Sequence, residues 1–535
     1  MVVKIAARQS DLARLQAFEV GRALEAAAPG KIELEFHFRS SLGDQRADDP
    51  LWKMPEKGVF TEDFVADILS GKVDLVVHSW KDLPIIDRDG TKIVATLPRA
   101  DARDVLLVRR DRWNARVDSD SAMPFRILTS SPRRVYNLEP FLKWALPWKG
   151  DPPAIEFVPV RGNIATRVSK LTSVPFAESC DGLVVAKAAL DRLLTSGKYG
   201  EPFIESAKAL REALGFVDFV VLPLSVNPAA AAQGALAIEV RSDRKDLIEL
   251  CSRIDASIDR GCVEAERREL ARHGGGCHQK IGVTVLRRDY GTIEFIRGLT
   301  DAGEVLNSMQ LTATRATWPK PHRPDEVFTG GGAGTRVEVL HQAVSTVALD
   351  NPSAVRGLFV ARAEAWPQNE RSKSGEGALT RDSYLWTAGL STWRKLAARG
   401  IWVHGSSEGL GEDDDTRLEV LAGHPIEWLR LTHQEAPVVG RTSKTLATYR
   451  VESEPPKFEI LSRAKFFYWK SGTQFLAALA VCPAIVNGYH ATGPGHTSAA
   501  VRRGLLEAGV PEAEILRRHA VFLGEAEFHR FLRTN

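Results

Sequence analysis

The order of apolar and polar positions near the start of the chain predicts a helix followed by a strand. Ser10 is a plausible N-cap for a helix in which Leu12, Leu15 and Phe18 recur on one face. From 32 to 38 apolar residues alternate with polar ones, which is the pattern of a half-buried strand. The chain therefore opens with alternating helix and strand elements.

The same alternation of helices and strands continues over the first 315 residues. Phe60 to Leu69 predicts a helix and Val73 to His78 a buried strand, and the pattern repeats from about 104 to 194. A third block, 255–314, carries a helix around Cys262 to Arg272 before a run of glycines. Strands that alternate with helices are typical of a mostly parallel sheet, so we expect an α/β fold.

A second α/β pattern occupies the chain from about 335 onward. Residues 400–405 predict a strand and a small-residue turn, and 466–469 predict a strand that enters a helix. The segment 493–498 precedes a helix expected to start near Ala499. Small and hydroxylated residues at such junctions can bind carboxylates through backbone N–H groups. For each junction taken alone, however, ordinary helix capping is the better explanation.

Length and charge narrow the class of protein. A chain of 535 residues predicts three to four domains, which excludes a single small binding module. The 71 basic and 68 acidic residues leave a net charge of only +3, which does not suggest a dedicated nucleic-acid-binding protein. The 44% of hydrophobic residues is ordinary for globular chains and excludes disordered, collagen-like and coiled-coil proteins.

Cysteine usage and hydropathy predict a reduced, cytoplasmic protein. The five cysteines form no C-x-x-C pair, so we expect neither a disulfide scaffold nor a metal site. The N-terminal residues lack the apolar core of a signal peptide. The longest apolar stretch, 475–486, is interrupted by Pro483 and is too short to span a bilayer, so no membrane association is expected.

Basic residues recur beside hydroxyls and glycines where strands should pass into loops or helices. Ligands of open α/β sheets bind beyond the carboxyl ends of strands, and arginine binds carboxylates bidentately. The pattern predicts a cleft for a polyanion with many carboxylates, although any one of these residues alone would be a solvated surface charge. The residues concerned are Arg8, Ser10, Lys57, Thr129, Ser131, Arg133, Arg134, Arg161 and Arg167.

Two further residues stand out by their setting. Asp82 follows a buried strand in the segment HSWKDLP, where it either faces a cleft or is, with Lys81, a solvated charge of a turn. Cys277 follows three glycines at 274–276, which leave the thiol open to close approach. The alternative for Cys277 is an idle surface cysteine, but three neighbouring glycines cost backbone entropy.

Seven segments resemble, in order, those of the porphobilinogen deaminase (hydroxymethylbilane synthase) family over roughly residues 4 to 315. The resemblance implies two lobes like periplasmic binding proteins around a cleft and a small α+β third domain. It also implies an enzyme that joins four porphobilinogens head to tail, releases four ammonia and yields hydroxymethylbilane. The segments are IAARQSDLA, EKGVF, VDLVVHSWKDLP, TSSPRRV, VRGNIATRVSKL, AAQGALAIEVR and GGGCHQKIG.

The resemblance also implies roles for single residues. Cys277 matches the thioether anchor of a dipyrromethane cofactor, Asp82 the catalytic carboxylate, and Lys57 a residue of the mobile loop over the cleft, in contact with substrate. The family holds acetate and propionate side chains with the remaining groups. Those matching the cofactor are Lys81, Thr129, Ser131, Arg133 and Arg134, and those matching substrate are Arg8, Ser10, Arg161, Arg167 and Arg192.

The implied chemistry suits these residue types. Loss of ammonia from an aminomethylpyrrole leaves a cationic azafulvene, which a fixed carboxylate such as Asp82 would stabilise. Each added ring brings two carboxylates, so arginines are needed around one aspartate. Four features depart from the family pattern, and those at Leu128 and 230–232 bear on the geometry of the cleft. They are Asp11 for proline, Trp80 for methionine, Leu128 for glycine, and an apparent insertion within the alanines 230–232.

The C-terminal part resembles uroporphyrinogen-III synthase, a family with two α/β domains that cyclises hydroxymethylbilane. The matching segments include TLATYRVE, FFYWKSGTQF and GPGHTSAAVRRGLLEAG, and they put Tyr449, Ser471 and Thr497 on that family's binding positions. A fusion of consecutive steps is chemically reasonable, because released hydroxymethylbilane closes spontaneously to the wrong isomer.

We therefore expect a bifunctional enzyme of tetrapyrrole biosynthesis, monomeric, that acts on porphobilinogen and linear tetrapyrroles. One alternative keeps the deaminase but makes the C-terminal half a non-catalytic accessory domain, and another is a two-lobed solute-binding protein. The expected domains are lobe one at 1–98 and 225–250, lobe two at 99–224, a cofactor-anchoring domain at 251–318, a linker at 319–334, and the synthase-like region at 335–535.

Overall fold

Mixed α/β layers make up the described part of the chain, as the sequence predicts, and they divide into two units. The first unit comprises 1–144, 148–287 and 293–309, and the second comprises 145–147, 288–292 and 310–535. The computed structural model describes residues 1–40, 62–86, 88–119, 123–173, 180–201, 203–275, 279–330, 335–340, 344, 347–367, 383–411, 415–434, 444–453 and 456–534.

Thirteen strands and nine helices are described in the first part of the chain. The strands are β1 Val2–Arg8, β2 Glu33–Arg39, β3 Leu75–Ser79, β4 Thr91–Ala95, β5 Asp104–Arg109, β6 Phe125–Leu128, β7 Ile155–Val158, β8 Gly182–Ala186, β9 Val217–Val221, β10 Leu236–Arg241, β11 Gly282–Arg288, β12 Gly291–Leu299 and β13 Val305–Thr312. The helices are α1 Asp11–Ala27, α2 Glu62–Leu69, α3 Arg110–Ser119, α4 Pro132–Ala145, α5 Ile164–Thr172, α6 Lys187–Leu194, α7 Phe203–Leu214, α8 Lys245–Ser252 and α9 Ser257–Arg272.

Two five-stranded sheets have the same arrangement of parallel and antiparallel strands. The first has the order β2-β1-β3-β10-β4 and the second β7-β6-β8-β5-β9, and β11-β12-β13 form a third, smaller sheet. In the first sheet β1 runs parallel to β2 and β3, whereas β10 is antiparallel to β3 and β4. In the second, β6 is parallel to β7 and β8, whereas β5 is antiparallel to β8 and β9. The carboxyl ends of β1 and β3 therefore meet at one edge of the first sheet.

The core of the first sheet follows from the periodicity of its strands and helices. Val3, Ile5 and Ala7 of β1 point to one face, where they meet Val20 and Leu24 of α1. Every second residue of β1 enters this core, and the strand ends with Arg8 at its carboxyl end. This sheet thus provides a rigid support for the functional groups at its edge.

The segment 229–235 returns the chain to the first sheet and is tied down on several sides. Buried Glu266 of α9 accepts the Ala232 N–H at 2.7 Å and the Val285 N–H at 2.8 Å. The same carboxylate holds Arg99 through two bonds of 2.6 and 3.0 Å. The alanines predicted as an insertion therefore lie in a fixed turn, in which Ala232 has φ of 67°.

The second unit holds ten strands and seven helices in its described residues. Its strands are β14 Val327–Phe328, β15 Thr335–Val339, β16 Val355–Val360, β17 Ser383–Thr387, β18 Gly405–Ser406, β19 Ile426–His433, β20 Lys444–Ser453, β21 Phe466–Trp469, β22 Tyr489–Thr492 and β23 His519–Val521. Its helices are α10 Leu390–Ala397, α11 Glu419–Ala422, α12 Phe458–Leu461, α13 Gly472–Val481, α14 His496–Glu507, α15 Glu512–Arg518 and α16 Glu525–Thr534.

Two sheets organise this second unit. The order β14-β21-β22-β23 gives an all-parallel sheet, and the order β15-β20-β19-β16-β17-β18 gives a mixed one. The helices α13 and α14 follow β21 and β22 directly, so two strand-to-helix junctions lie at the carboxyl end of the parallel sheet.

Two details add to the sequence-based expectation. Within the predicted linker at 319–334, Val327 and Phe328 pair with β21 and Glu326 binds Lys465 at 2.8 Å. Among the prolines and glycines of this segment, Val327 and Phe328 form β14, the edge strand of the parallel sheet. The strand expected at 400–405 is reduced to Gly405–Ser406, where a Cβ on Gly405 would lie 2.1 Å from the Trp386 ring.

We predict that Gly234→Ala destabilises the fold far more than Gly200→Ala. Both glycines have left-handed backbone, with φ of +89° and +83°. A Cβ at Gly234 would lie 2.6 Å from the Ala100 carbonyl oxygen, whereas at Gly200 it would meet nothing within 4 Å. Gly200→Ala should cost about 1 kcal/mol for the backbone alone, and Gly234→Ala about 3 kcal/mol. Equal midpoints in urea unfolding would contradict this.

Two buried histidines, His404 and His490, and the partly buried His519 make the stability of the second unit dependent on pH. Burial lowers the pKa of His404 and His490 to about 3 and that of His519 to about 4. The Nδ1 atoms of His404 and His490 accept hydrogen bonds from the Leu385 N–H and the Trp469 indole, both at 3.0 Å. The folded chain therefore keeps these imidazoles neutral.

Below pH 6.5 the unfolded chain binds protons at these histidines and the folded chain does not, so the free energy of unfolding must fall. We expect a loss of about 2 kcal/mol per histidine at pH 5 relative to pH 7. Urea unfolding at the two pH values measures it. His404→Gln, which can still accept the Leu385 N–H, should reduce the loss by about one third. An unchanged pH dependence in that variant would refute the assignment.

Candidate active-site cleft

The end of β3 presents Asp82 to solvent. A 3₁₀ turn, Trp80–Asp82, follows the strand directly, and the Trp80 N–H donates to the Ala235 carbonyl at 3.1 Å. The Trp80 ring is buried against Leu83 and three small residues, which make room for the indole. Because Trp80 is anchored, the exposed carboxylate two residues later is held at a defined place. The small residues are Ala232, Ala235 and Ala237.

Arg8 and Ser10 lie with Asp82 around one cavity of about 70 Å³. Ser10 precedes α1 in extended conformation, but its hydroxyl makes no capping hydrogen bond. Gln16 of α1 bonds reciprocally with the Ser79 hydroxyl at 2.9 and 3.0 Å. Helix α1 and strand β3 are thereby fixed against each other beside Asp82.

His78 and Glu239 form a buried pair behind this edge. His78 Nε2 lies 2.8 Å from Glu239 Oε2, and Thr91 donates to Glu239 Oε1 at 2.6 Å. Burial alone would raise the pKa of Glu239, but the hydrogen bond and charge of His78 lower it. Sequence reasoning missed this pair; its only signal was a carboxylate inside the otherwise apolar strand LAIEVR.

Arg133 and Arg134 are buried rather than exposed, at 3% and 7% of their surface. Both bind fully buried Asp104: Arg133 at 2.9 Å and Arg134 through two bonds of 2.6 and 3.0 Å. Asn227 and Gln233 donate to the same carboxylate at 3.0 and 2.8 Å. The two arginines proposed to hold cofactor carboxylates thus already share their charge with Asp104.

The charge network around Asp104 extends to Lys81. The Lys81 Nζ donates to Gln233 Oε1 at 3.3 Å, and the Gln233 amide also donates to Asp104. Burial lowers the pKa of Lys81, Asp82 opposes that shift, and Arg134 adds to it. A half-buried ammonium group is therefore close to the exposed Asp82 carboxylate.

The second lobe contributes Arg167 and Arg161. Asn163 caps α5 by accepting the Thr166 N–H at 2.8 Å, and Arg167 Nε donates to the Gly162 carbonyl at 2.8 Å. Burial lowers the pKa of Arg167, Arg134 and Arg161 lower it further, and Asp82 opposes them. These interactions place Arg167 within electrostatic reach of Asp82.

Thr129 and Ser131 lie just before helix α4, and Arg192 of α6 contacts helix α1. The Ser131 N–H donates to Thr129 Oγ1 at 3.3 Å, and the Ser131 carbonyl accepts the Val135 N–H at the start of α4. Arg192 binds Glu19 of α1 at 3.0 Å and the Gly234 carbonyl at 3.2 Å. Arg192 thus joins helix α6 to helix α1 and to the segment before β10.

Lys57 and Cys277 lie outside the described residues. Gly274 and Gly275, which lead toward Cys277, have φ of +95° and +57°, so this approach uses the conformational freedom of glycine. A Cβ on Gly275 would lie 2.8 Å from the Ile85 side chain, three residues after Asp82. Gly275 therefore lies close to the segment that carries the catalytic candidate.

The candidates in the second unit differ in accessibility. Tyr449 is only 1% exposed, and burial raises the pKa of its phenol. Ser471 caps α13 by accepting the Gln474 N–H at 3.2 Å, and Thr497, the second residue of α14, is half-buried. Ser471 and Thr497 lie at the two junctions of the parallel sheet, whereas Tyr449 belongs to the mixed sheet.

The described residues contain neither a metal-binding cluster nor a membrane-spanning helix. Among the described residues, no group of three or more His, Cys, Asp or Glu side chains could hold a metal ion. None of the described helices combines the length and apolarity needed to cross a membrane.

Comparisons with known proteins match the first part of the chain. A family model described as "Porphobilinogen deaminase, dipyromethane cofactor binding domain" matches residues 3–249. The porphobilinogen deaminase of Syntrophomonas wolfei is 33% identical over 297 residues, which cover 56% of this chain and 84% of that protein. The porphobilinogen deaminase of Acidothermus cellulolyticus is 33% identical over 362 residues, which cover 62% of this chain and 97% of that protein.

Among solved structures, the periplasmic sulfonate-binding protein SsuA from Methylobacillus flagellatus aligns with 14% identity and a TM-score of 0.26. The alignment covers 51% of this chain and 72% of that one, a similarity too low to support a conclusion. The sequence matches are much stronger, and the family model covers the strands whose ends bring Arg8, Ser10 and Asp82 together. The chain carries the dipyrromethane cofactor binding domain and belongs to the porphobilinogen deaminase family.

Proposed function

We propose that the chain condenses four molecules of porphobilinogen into hydroxymethylbilane with release of four ammonia, and that Asp82 is its catalytic carboxylate. The observation that carries this proposal is the exposed Asp82 at the end of β3, in one cavity with Arg8 and Ser10 and within electrostatic reach of Lys81 and Arg167. A carboxylate among cations suits a substrate that carries two carboxylates and becomes cationic as ammonia leaves.

The geometry supports an electrostatic role for Asp82. The carboxylate can accept the pyrrole N–H of porphobilinogen and stabilise the positive azafulvene formed from it, because Trp80 fixes the turn before reaction begins. Arg8 and Ser10, which line the same cavity as Asp82, are proposed to donate to the acetate and propionate groups. Lys57, outside the described residues, is proposed to contact substrate from the neighbouring loop.

The residues present fit a dipyrromethane. Its carboxylates need cations and its pyrrole N–H groups need an acceptor, and Lys81 and Arg167 lie within electrostatic reach of the Asp82 carboxylate. Arg161, whose charge acts on Arg167, is proposed to hold a substrate carboxylate. Thr129, Ser131, Arg133 and Arg134 are proposed to hold it from the α4 side. When bound, this group supplies the free pyrrole position on which the chain is built. We propose Cys277 as its covalent anchor, since the preceding glycines approach Ile85.

We further propose that the C-terminal half cyclises hydroxymethylbilane to uroporphyrinogen III. Its support is the pair of junctions after β21 and β22, where Ser471 and Thr497 stand beside helix N-termini that favour carboxylates. Buried Tyr449 adds less support, because a ligand could reach it only after its neighbours move. The alternative, an accessory domain without activity, is favoured by the capping bond that already occupies Ser471.

The remaining expectations concern location and assembly. We propose a cytoplasmic monomer without a nucleic-acid or membrane partner. The described cysteines Cys180, Cys251, Cys262 and Cys482 are buried thiols, which suits a reducing compartment.

Asp82→Asn is expected to lower porphobilinogen turnover about 100-fold or more, because it removes a preorganised charge while keeping size. Binding of porphobilinogen should weaken much less. Asp89→Asn, at an exposed position in the next loop, is the matched control and should behave as the parent. Consumption of porphobilinogen and the intact mass of each protein provide the readouts. Asp82→Asn turnover within a few-fold of the parent would remove the catalytic role, and binding without any turnover by the parent would favour a solute-binding protein.

The second activity can be tested separately on the full chain. Cys277→Ala should have the unmodified mass and make no hydroxymethylbilane, yet convert added hydroxymethylbilane mainly to the type III isomer. Chromatography of the oxidised porphyrins separates type III from type I, the uncatalysed product. A sample without protein gives the background ratio. A ratio equal to that background would show that the C-terminal half is an accessory domain.

A further inference from the structure

A cavity of about 760 Å³ lies between α4 and the small third sheet, apart from the one that holds Asp82. Its volume is in the range of sites for drug-sized ligands. Within the first unit it is enclosed by the start of α4, by Phe157 and Pro159 at the end of β7, and by residues of β12 and β13. Thr129 and Ser131, the proposed cofactor contacts, form part of its wall.

The walls of this cavity are built from closely packed backbone. A Cβ on Gly298 would lie 2.2 Å from the Lys280 carbonyl oxygen, so the chain at Lys280 and the chain beside Arg297 touch. A Cβ on Gly282 would lie 2.2 Å from the Pro228 carbonyl oxygen and 3.0 Å from Arg133 Cδ. The third sheet is therefore fixed against the start of α4, and the cavity between them has a defined shape.

The charge of the cavity is positive. Lys280 and Arg297 both line it, and its one carboxylate, Glu139, is paired with Lys143 at 2.9 Å. Arg297 also points a guanidinium N–H toward the Ser225 carbonyl at 3.5 Å, which leaves its other N–H groups for further partners. Two cations and the hydroxyls of Ser131 and Thr129 suit a ligand with more than one carboxylate.

Part of the lining of this cavity is apolar and exposed to solvent. Val305 is 66% exposed and Val135 36% exposed, and both line the cavity with Leu306 and Phe157. Exposed apolar side chains rimmed by polar groups are typical of ligand sites. Flat apolar rings with carboxylates at their edges would complement this surface and its two cations together.

We infer that this cavity binds the carboxylated pyrrole rings of the growing chain, with Lys280 and Arg297 as carboxylate donors. The inference rests on the proposed function. Each added ring brings two further carboxylates, whereas Arg133 and Arg134 are already bound to Asp104 and Arg192 to Glu19. The lengthening chain therefore needs additional cations, and this cavity supplies them beside Thr129 and Ser131.

The test follows the number of rings on the enzyme by intact mass after limited porphobilinogen is added. In Arg297→Met and Lys280→Met the cofactor should be loaded and the first ring added within about threefold of the parent rate. Later additions should be slowed about tenfold, the usual effect of losing one charged hydrogen bond. Arg297→Lys should restore them, and Arg253→Met, at a surface ion pair with Glu249, is the control.

Two results would overturn the inference: parental rates at every step in both variants, or a first addition slowed as much as the later ones. A second measurement does not depend on turnover. Calorimetric titration with pyrrole-2,4-dicarboxylate should show at least about tenfold weaker binding to Arg297→Met than to the parent. Equal binding would also overturn it. A parent that consumes no porphobilinogen but shows this difference would refute the proposed function alone.

Discussion

The buried carboxylate of Asp104 is the interaction on which the first unit depends. Five N–H groups from Arg133, Arg134, Asn227 and Gln233 donate to it. Burial would raise the pKa of Asp104, but the two arginines outweigh burial and hold it below its ordinary value. Removing one partner from such a network leaves an uncompensated charge, which typically costs about 3–5 kcal/mol. Asp104 thereby fixes the start of α4, β5 and the returning segment relative to one another.

The basic residues near this network are of two kinds. Arg133 and Arg134 give their charge largely to Asp104, whereas Arg8 lines the cavity of Asp82, and Arg167 lies within electrostatic reach of that carboxylate. Gln233 connects the two groups, since it donates to Asp104 and accepts from Lys81. A change in the buried part of the network should therefore be felt at the ammonium group nearest the proposed catalytic carboxylate.

Much of the fold could be predicted from local pattern alone. Helix α1 and strand β2 follow from their periods, and Asp82 follows from a buried strand that runs into charged residues. The partners of Arg133 could not be predicted, because Asp104 and Asn227 are distant in sequence and reach it only through the order of strands in the sheet. The cavity at Arg297 could not be predicted for the same reason, because the residues that line it come from distant segments of the sequence that share no motif.

The place of β10 in the first sheet has a consequence for synthesis on the ribosome. This strand lies between β3 and β4, so the sheet that begins at Val2 lacks an inner strand until Arg241 has emerged. The second sheet is complete with β9 and is contiguous in sequence from β5 onward. Domains generally fold as units during synthesis. The first sheet should therefore be completed after the second, although its first strand is translated earlier. Until β10 is available, the unpaired edge of β3 is open to pairing with strands of other chains.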